Sequence, residues 1–351
     1  MAYTTIDKSS LHFNTLTYSG NGRNGTTTTQ AITGAGFQPD WVWLKQRSST
    51  QSHQICDVLR GANNIISTNS TGAQVADSEI INSFDSDGFT AGYQDQANDT
   101  GQTYVSWLWK AGGAGSSNTD GSINTTSTSV NTTAGFSIST YTGTGANATV
   151  GHGLGAVPKA IIIKSTSHTS NFAVYHESIG ATKFLKLNNE DVESTNNGYF
   201  NDTAPTSSVF SIGDEGNDTN GSGKTYVAYC FAEKAGYSKF GLYEGNGNAD
   251  GSYIYTGFRP AWILIKGKGT AEYWHMYDNK RVGYNAAGGN RRLIPGLNNA
   301  ETTTIDIDIL ANGFKQRSNQ NNCNGSGQGY VYFAFAEAPL VGSNNIPALA
   351  R

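Results

Sequence analysis

The ten residues GFQPDWVWLK at 36–45 return as GAVPKAIIIK at 155–164 and as GFRPAWILIK at 257–266. Such repetition bounds the fold before anything else does, because each copy has to be a unit that buries its own apolar surface. The copies stand 119 and 102 residues apart, and other landmarks keep the same order. A Y-x-G-x-G hairpin precedes each copy, at 18–22, 141–145 and 243–247. Twelve residues past each motif lysine comes a titratable residue: Asp57, His176 and Asp278. Each unit closes on an aromatic run, TYVSWLWKAG, TYVAYCFAEKAG or GYVYFAFAEAP.

Within the motif, a proline fixes φ and removes a donor, so it belongs at the start of a strand. In the third copy Trp262, Ile263, Leu264 and Ile265 are apolar on both parities, the pattern of a buried central strand. Lys266 is expected to end that strand where it reaches solvent. The run IDIDIL at 305–310 alternates, with Ile305, Ile307 and Ile309 in and Asp306 and Asp308 out. Gly/Asn/Asp clusters between the runs are turn chemistry. No stretch of ten residues carries a 3.6-residue apolar period.

These patterns predict an all-β chain of three tandem antiparallel β-sandwich repeats, jelly-roll-like, each of about 100 residues with seven or eight strands. The expected boundaries are an N-terminal docking segment 1–14, repeats at 15–113, 136–237 and 238–340, a linker at 114–135 and a C-terminal extension 341–351. The stretch 111–135 is almost wholly Gly, Ser, Thr and Asn and reads as flexible or extended. The first unit is therefore expected to be more independent than the other two. An insertion at 280–292 marks the third repeat and is expected to be a surface loop.

Charged residues are 14% of the 351, and the net charge is −4. This does not build the basic footprint of a nucleic-acid binder. No run reaches the ~18 apolar residues of a membrane span, and the opening MAYTTIDKSSLHF lacks the apolar core of a secretory signal. Three separated cysteines, Cys56, Cys230 and Cys323, suggest neither a disulfide framework nor a zinc site. Isolated thiols of this kind fit assembly in a reducing cytoplasm.

Catalytic motifs are not found. Asp85 and Asp87 in DSDG could grip a cation, but they read as a hairpin turn, and so does the oxygen-rich loop 213–223. His176 and Glu177 are strand neighbours that face opposite ways, and His275 and Asp278 are of opposite parity. No carboxylate pair suited to glycoside cleavage stands out. The chain is expected to be neither an enzyme nor a holder of a cofactor or metal. The surface, rich in Gly, Asn, Thr and Ser with Tyr and Trp among them, suits sugar binding, where aromatic faces stack and amides bond hydroxyls. Candidate ligand contacts are Tyr273, Trp274 and Tyr284 beside the insertion, although core or inter-unit packing is the favoured reading of these rings. Asp57, His176 and Asp278 either line a ligand face or close a strand by bonding a turn, and the turn is favoured.

The phrases YTGTG…HGLGAVPKAIIIK, NDTAPTSSVFSIG, YVAYCFAEKAGYSKFGLYEGNG and NNIPALAR, with the opening MAYTTIDKSSLHFNTLTYSG, resemble tandem repeats in virion proteins of marine tailed phages, including cyanophages. The resemblance implies a virion-associated structural role, tail-fibre-like or lectin-like, and carries over no catalytic residues. It places the chain at the virion surface, after assembly in the host cytoplasm. Its partners would be other virion proteins of tail or capsid and host-surface carbohydrate. A fibre component would be a homo-oligomer, a trimer. The alternative is a decoration or accessory protein that stabilises the capsid or tail lattice.

Overall fold

The structure is a computed structural model and describes residues 4–22 and 27–338. The motif runs form the strands Trp41–Gln46, Ala160–Ser165 and Arg259–Gly267. Each lies between two partners. On one side is the closing strand of its unit, Thr103–Trp109, Thr225–Phe231 or Gly329–Ala338. On the other is a lateral strand, Gln54–Asp57, Ala173–His176 or His275–Asp278. The far edge of each closing strand takes the first strand of the unit, Phe13–Ser19, Phe136–Thr142 or Ser238–Glu244. All these pairings are antiparallel, and the same strand order recurs three times.

A smaller sheet covers one face of each large one: Gln30–Thr33 with Gly88–Ala91 and Ile81–Asp85, Ala148–Gly151 with Val209–Ile212, and Tyr253–Tyr255 with Gly313–Gln316 and Ile307–Leu310. The molecule is all-β, built of antiparallel β-sandwiches. The helices among the described residues are short pieces, such as Asp95–Asn98 and Asn197–Phe200. Nine strands fall in the first unit and nine in the third, more than the seven or eight expected.

Strand alternation sends successive side chains to opposite faces, and here the two faces go to different cores. Val42 and Leu44 pack inside the first sandwich with Ile32, Phe89 and Leu108. Ile161 and Ile163 do the same in the second, and Ile263 and Ile265 in the third. The other parity, including Trp41, Trp43, Trp109, Tyr229, Phe231, Trp262, Phe333 and Phe335, meets in one core shared by all three units. Trp41 stacks on Tyr229 with centroids 4.6 Å apart, Trp109 meets Trp262 edge-on at 5.4 Å, and Phe231 meets Phe333 at 6.1 Å. Each such pair adds roughly 0.5–1.5 kcal/mol beyond the area it buries. The motif strands are apolar on both faces because one face builds a sandwich and the other joins the sandwiches.

Several expectations need comment or correction. The 111–135 stretch is not a flexible linker, and the first unit is not independent. Asp40 accepts the amides of Ala111 at 2.7 Å and Gly113 at 3.3 Å. Ser116 bridges to Thr128, Ile123 lies parallel to Val150, and Ser127–Asn131 is a strand on the edge of the second sheet. Small polar residues do not imply mobility where the edge of a sheet takes up their backbone groups.

Of the 1–14 docking segment, residues 4–14 are described, and they pack on the body, with Ile6 and Phe13 buried in the shared core. The motif lysines do not reach solvent; Lys45, Lys164 and Lys266 are 0% exposed. The alternation at 305–310 starts two residues late: Ile305 is 60% exposed, while Asp306 is buried and accepts the Tyr277 hydroxyl at 2.7 Å. The 341–351 extension lies outside the described residues.

Candidate functional site

The repeated landmarks are first of all structural. In each hairpin the tyrosine stacks on the first tyrosine of the closing strand, at 5.0 Å for Tyr18–Tyr104, 5.2 Å for Tyr141–Tyr226 and 5.1 Å for Tyr243–Tyr330. A buried asparagine takes the next hairpin amide: Asn98 from Asn21, Asn220 from Thr144 and Asn324 from Asn246. The first hairpin glycine touches that loop so closely that a Cβ at Gly143 would lie 2.5 Å from the Gly221 carbonyl oxygen.

Asp57, His176 and Asp278 are each 0% exposed and sit in the seams between units. They do close turns, as favoured from the sequence: Asp57 accepts the amides of Leu59 and Arg60, Asp278 those of Lys280 and Arg281, and His176 Nδ1 that of Ser178. Each also faces the closing strand of another unit. Tyr229 donates its hydroxyl to Asp57 at 2.8 Å, and Trp107 donates its indole N–H to Asp278 at 3.0 Å. His176 Nε2 lies 3.3 Å from the Tyr332 carbonyl, and its ring meets Phe333 edge-on.

The three seams run first to second, second to third and third to first, so they close a ring. A parallel ring of backbone bonds joins Gln74 to Thr166, Glu193 to Lys268 and Glu301 to Arg47. None of the three titratable residues reaches a ligand face. Arg60 and Arg281 complete the two acidic seams, with Nε 2.5 and 2.6 Å from the carboxylates.

The motif lysines lie in the same seams, bonded to carbonyls. Lys164 Nζ donates to Thr71 of the first unit, and Lys266 Nζ to Glu190 of the second. Burial lowers their pKa, to about 8 for Lys164 and Lys266 and about 7 for Lys45.

Of the aromatic candidates, Trp274 is in the shared core and donates its N–H to the Lys186 carbonyl at 2.8 Å. It is therefore not a surface platform. Tyr284 is 37% exposed and lies under Arg259, whose guanidinium is 4.7 Å from the ring centroid. Tyr273 lines an open polar cleft of about 670 Å³ with Glu272, His275, Arg292, Asn321 and Asn322 among its walls. The structure does not bring Tyr273, Trp274 and Tyr284 into one site. Asp85 and Asp87 are used internally, Asp87 holding the amides of Gly34 and Gly36. No cluster of three or more metal-ligating side chains occurs among the described residues.

The cleft is marked by unsatisfied chemistry. His275 is 3% exposed, yet neither ring nitrogen has a partner among the described residues. Burial and the nearby Arg292 charge lower its pKa to about 3, so the ring is neutral and offers one donor and one acceptor. Arg292 pairs with Asp306 through Nη1 at 3.2 Å and leaves Nε without a partner. Asn322 Oδ1 is likewise buried without one. Buried polar atoms are normally bonded, and four that lack a partner among the described residues belong to three residues of this cleft. Sequence reading found Tyr273 but not His275 or Arg292, because parity identifies a face and does not show what lies opposite it.

Strand register places equivalent positions in the other units. Met276 bridges Leu293 as Val174 pairs with Leu185 and Ile55 with Ile66, so the preceding residues His275, Ala173 and Gln54 occupy the same corner. In the first unit this corner is a smaller cleft of about 250 Å³ that includes Gln54, Ile65, Ser67 and Gln96. In the second it is filled by Tyr199, stacked on Phe184 at 3.6 Å, with its hydroxyl on Asp218 at 2.6 Å.

Fold and cleft together define an all-β protein of antiparallel sandwiches welded through a shared aromatic core, with one open polar cleft on its third unit. The chain belongs to the family described as Domain of unknown function (DUF7483), which matches residues 8–339. No curated protein and no solved structure matches it.

Proposed function

We propose that this chain is a non-enzymatic structural protein of a phage virion, a tail-fibre or receptor-binding component that contacts host-surface glycans. The observation that carries the reading is the third-unit cleft, where buried polar atoms of His275, Arg292 and Asn322 stand without partners beside Tyr273. Such a set suits a ligand rich in hydroxyls, each of which donates and accepts. The welded core holds the cleft rigid, which lowers the entropic cost of binding. Glu272 is the one carboxylate among the cleft residues, whereas glycoside cleavage uses two. Three buried free thiols suit folding in a reducing cytoplasm. The sequence resemblance to marine phage virion proteins supplies the virion setting.

The ring of seams favours a second reading, a decoration protein. Three lobes closed in a ring around one core suit a threefold position of a capsid or tail lattice. Imaging of labelled virions, combined with binding of the fluorescent protein to host cells, separates the two. Tail-tip labelling with cell binding is expected. Capsid-lattice copy number without cell binding would replace the first reading by the second.

A further inference from the structure

The second unit shows what this corner of the fold accepts. Tyr199 inserts a six-membered ring bearing a hydroxyl, seated flat on Phe184, with the hydroxyl on Asp218. In the third unit Arg292 precedes the bridging Leu293 as Phe184 precedes Leu185, so it takes the place of the floor ring. His275 stands where the second unit has Ala173. Asn322 precedes the buried Asn324 by two residues, as Asp218 precedes Asn220. The socket is kept, its internal filler is absent, and its floor has changed from apolar to polar.

We infer that the third-unit cleft binds the end of a neutral glycan, with one pyranose ring seated over the Arg292 guanidinium as Tyr199 is seated over Phe184. The inference rests on the glycan-contact reading above and names its ligand. A planar guanidinium stacks against flat faces. Around it four polar atoms are buried without partners among the described residues: two donors, Arg292 Nε–H and one nitrogen of neutral His275, and two acceptors, the other His275 nitrogen and Asn322 Oδ1. Pyranose hydroxyls both donate and accept, the two capacities left unpaired here. A phenolic ring carries a single hydroxyl and would answer fewer of them, so it gains less on binding. An acidic sugar is disfavoured because Asp306 already pairs Arg292 and Glu272 lines the wall. The space beyond one ring gives the next residue of the chain a way out.

The test is saturation-transfer NMR on the whole chain, with methyl pyranosides of glucose, galactose, mannose, fucose and N-acetylglucosamine, and p-cresol as the aromatic control. At least one pyranoside is expected to bind. Arg292→Phe, which restores the second unit's floor, and the milder Asn322→Ala should each weaken it by about tenfold or more. Tyr199→Ala should leave it unchanged, and melting curves show whether each variant is folded. Binding of no pyranoside, undiminished binding in folded Arg292→Phe and Asn322→Ala, or binding of p-cresol in preference would each overturn the inference. If labelled protein still adheres to host cells while no pyranoside binds, this inference fails and the broader glycan-contact reading survives. Loss of both defeats both.

Discussion

Trp107 of the first unit donates its indole N–H to Asp278 of the third across 3.0 Å of fully buried seam. The equivalent pair in the next seam is Tyr229 and Asp57, again a donor facing a carboxylate. In the remaining seam the aromatic is Phe333, which has no polar hydrogen, and the residue facing it is His176. The exchange of aspartate for histidine follows the partner across the seam: an acid where the ring can donate, an imidazole where it cannot. The arginine goes with it, since Ile179 stands where Arg60 and Arg281 complete the acidic seams.

Removing one member of such a buried set leaves the other charge uncompensated, at a cost of about 3–5 kcal/mol. Asp278→Ala and Asp57→Ala should each lower the urea midpoint accordingly. His176→Asp alone should be similarly damaging, because Phe333 cannot satisfy a carboxylate. Adding Ile179→Arg and Phe333→Tyr to it should restore much of the loss. A triple variant no more stable than His176→Asp would refute the seam-matching rule.

Acid should loosen the ring. Burial is the main cause that lowers the His176 pKa from 6.5 to about 4. Between those values the unfolded chain binds a proton that the folded chain does not. The stabilisation is therefore whole above pH 6.5 and is lost as pH falls to about 4, by about 3 kcal/mol on a scale of 1.36 kcal/mol per pH unit. His53 and His275, also lowered by burial, act in the same direction. Melting curves from pH 7 to pH 4 should fall steadily, and His176→Gln should flatten the slope.

Mild alkali should do the opposite. Lys164 and Lys266 titrate near 8 when folded and at 10.5 when unfolded, mainly through desolvation. The unfolded chain binds more protons in that window, so stability rises with pH from about 8 towards 10. Above 10 the trend should reverse, because unfolded tyrosines ionise while buried Tyr141 and Tyr229 are held protonated. A melting temperature at pH 9.5 no higher than at pH 7.5 would contradict the buried-amine geometry. Lys164→Met should shrink the increment.

The 111–135 stretch should resist proteases despite its composition. Ile123 is 7% exposed and Asp40 holds Ala111 and Gly113. Brief proteinase K digestion followed by mass spectrometry should find the wild-type segment uncut, and Ile123→Asp should create a cut there.

Local chemistry was readable from the chain. Proline before an apolar run gave a strand start, Gly/Asn clusters gave turns, and apolarity on both parities placed Trp262 to Ile265 in a central strand. The turn-closing bonds of Asp57, His176 and Asp278 also follow from their place after a strand. Tyr273 was found as a ligand candidate on residue type alone. What failed was everything that depends on a partner far along the chain. Residue type leaves Trp274 open between ligand contact and core, and places Lys266 at a solvent-facing end, because burial by another unit leaves no periodic mark.

The sequence by itself determined that the chain is β throughout and that one pattern recurs three times, since both are properties of short-range periodicity and turn geometry. Only the tertiary structure decided where the second apolar face goes. Alternation shows that a strand has two apolar sides, but the shared core forms from side chains more than a hundred residues apart, such as Trp41 and Tyr229. It also decided that one corner of the fold is filled by Tyr199 in the second unit and left open beside His275 in the third. Whether a socket is occupied depends on the path of a distant loop, and no local pattern records that path.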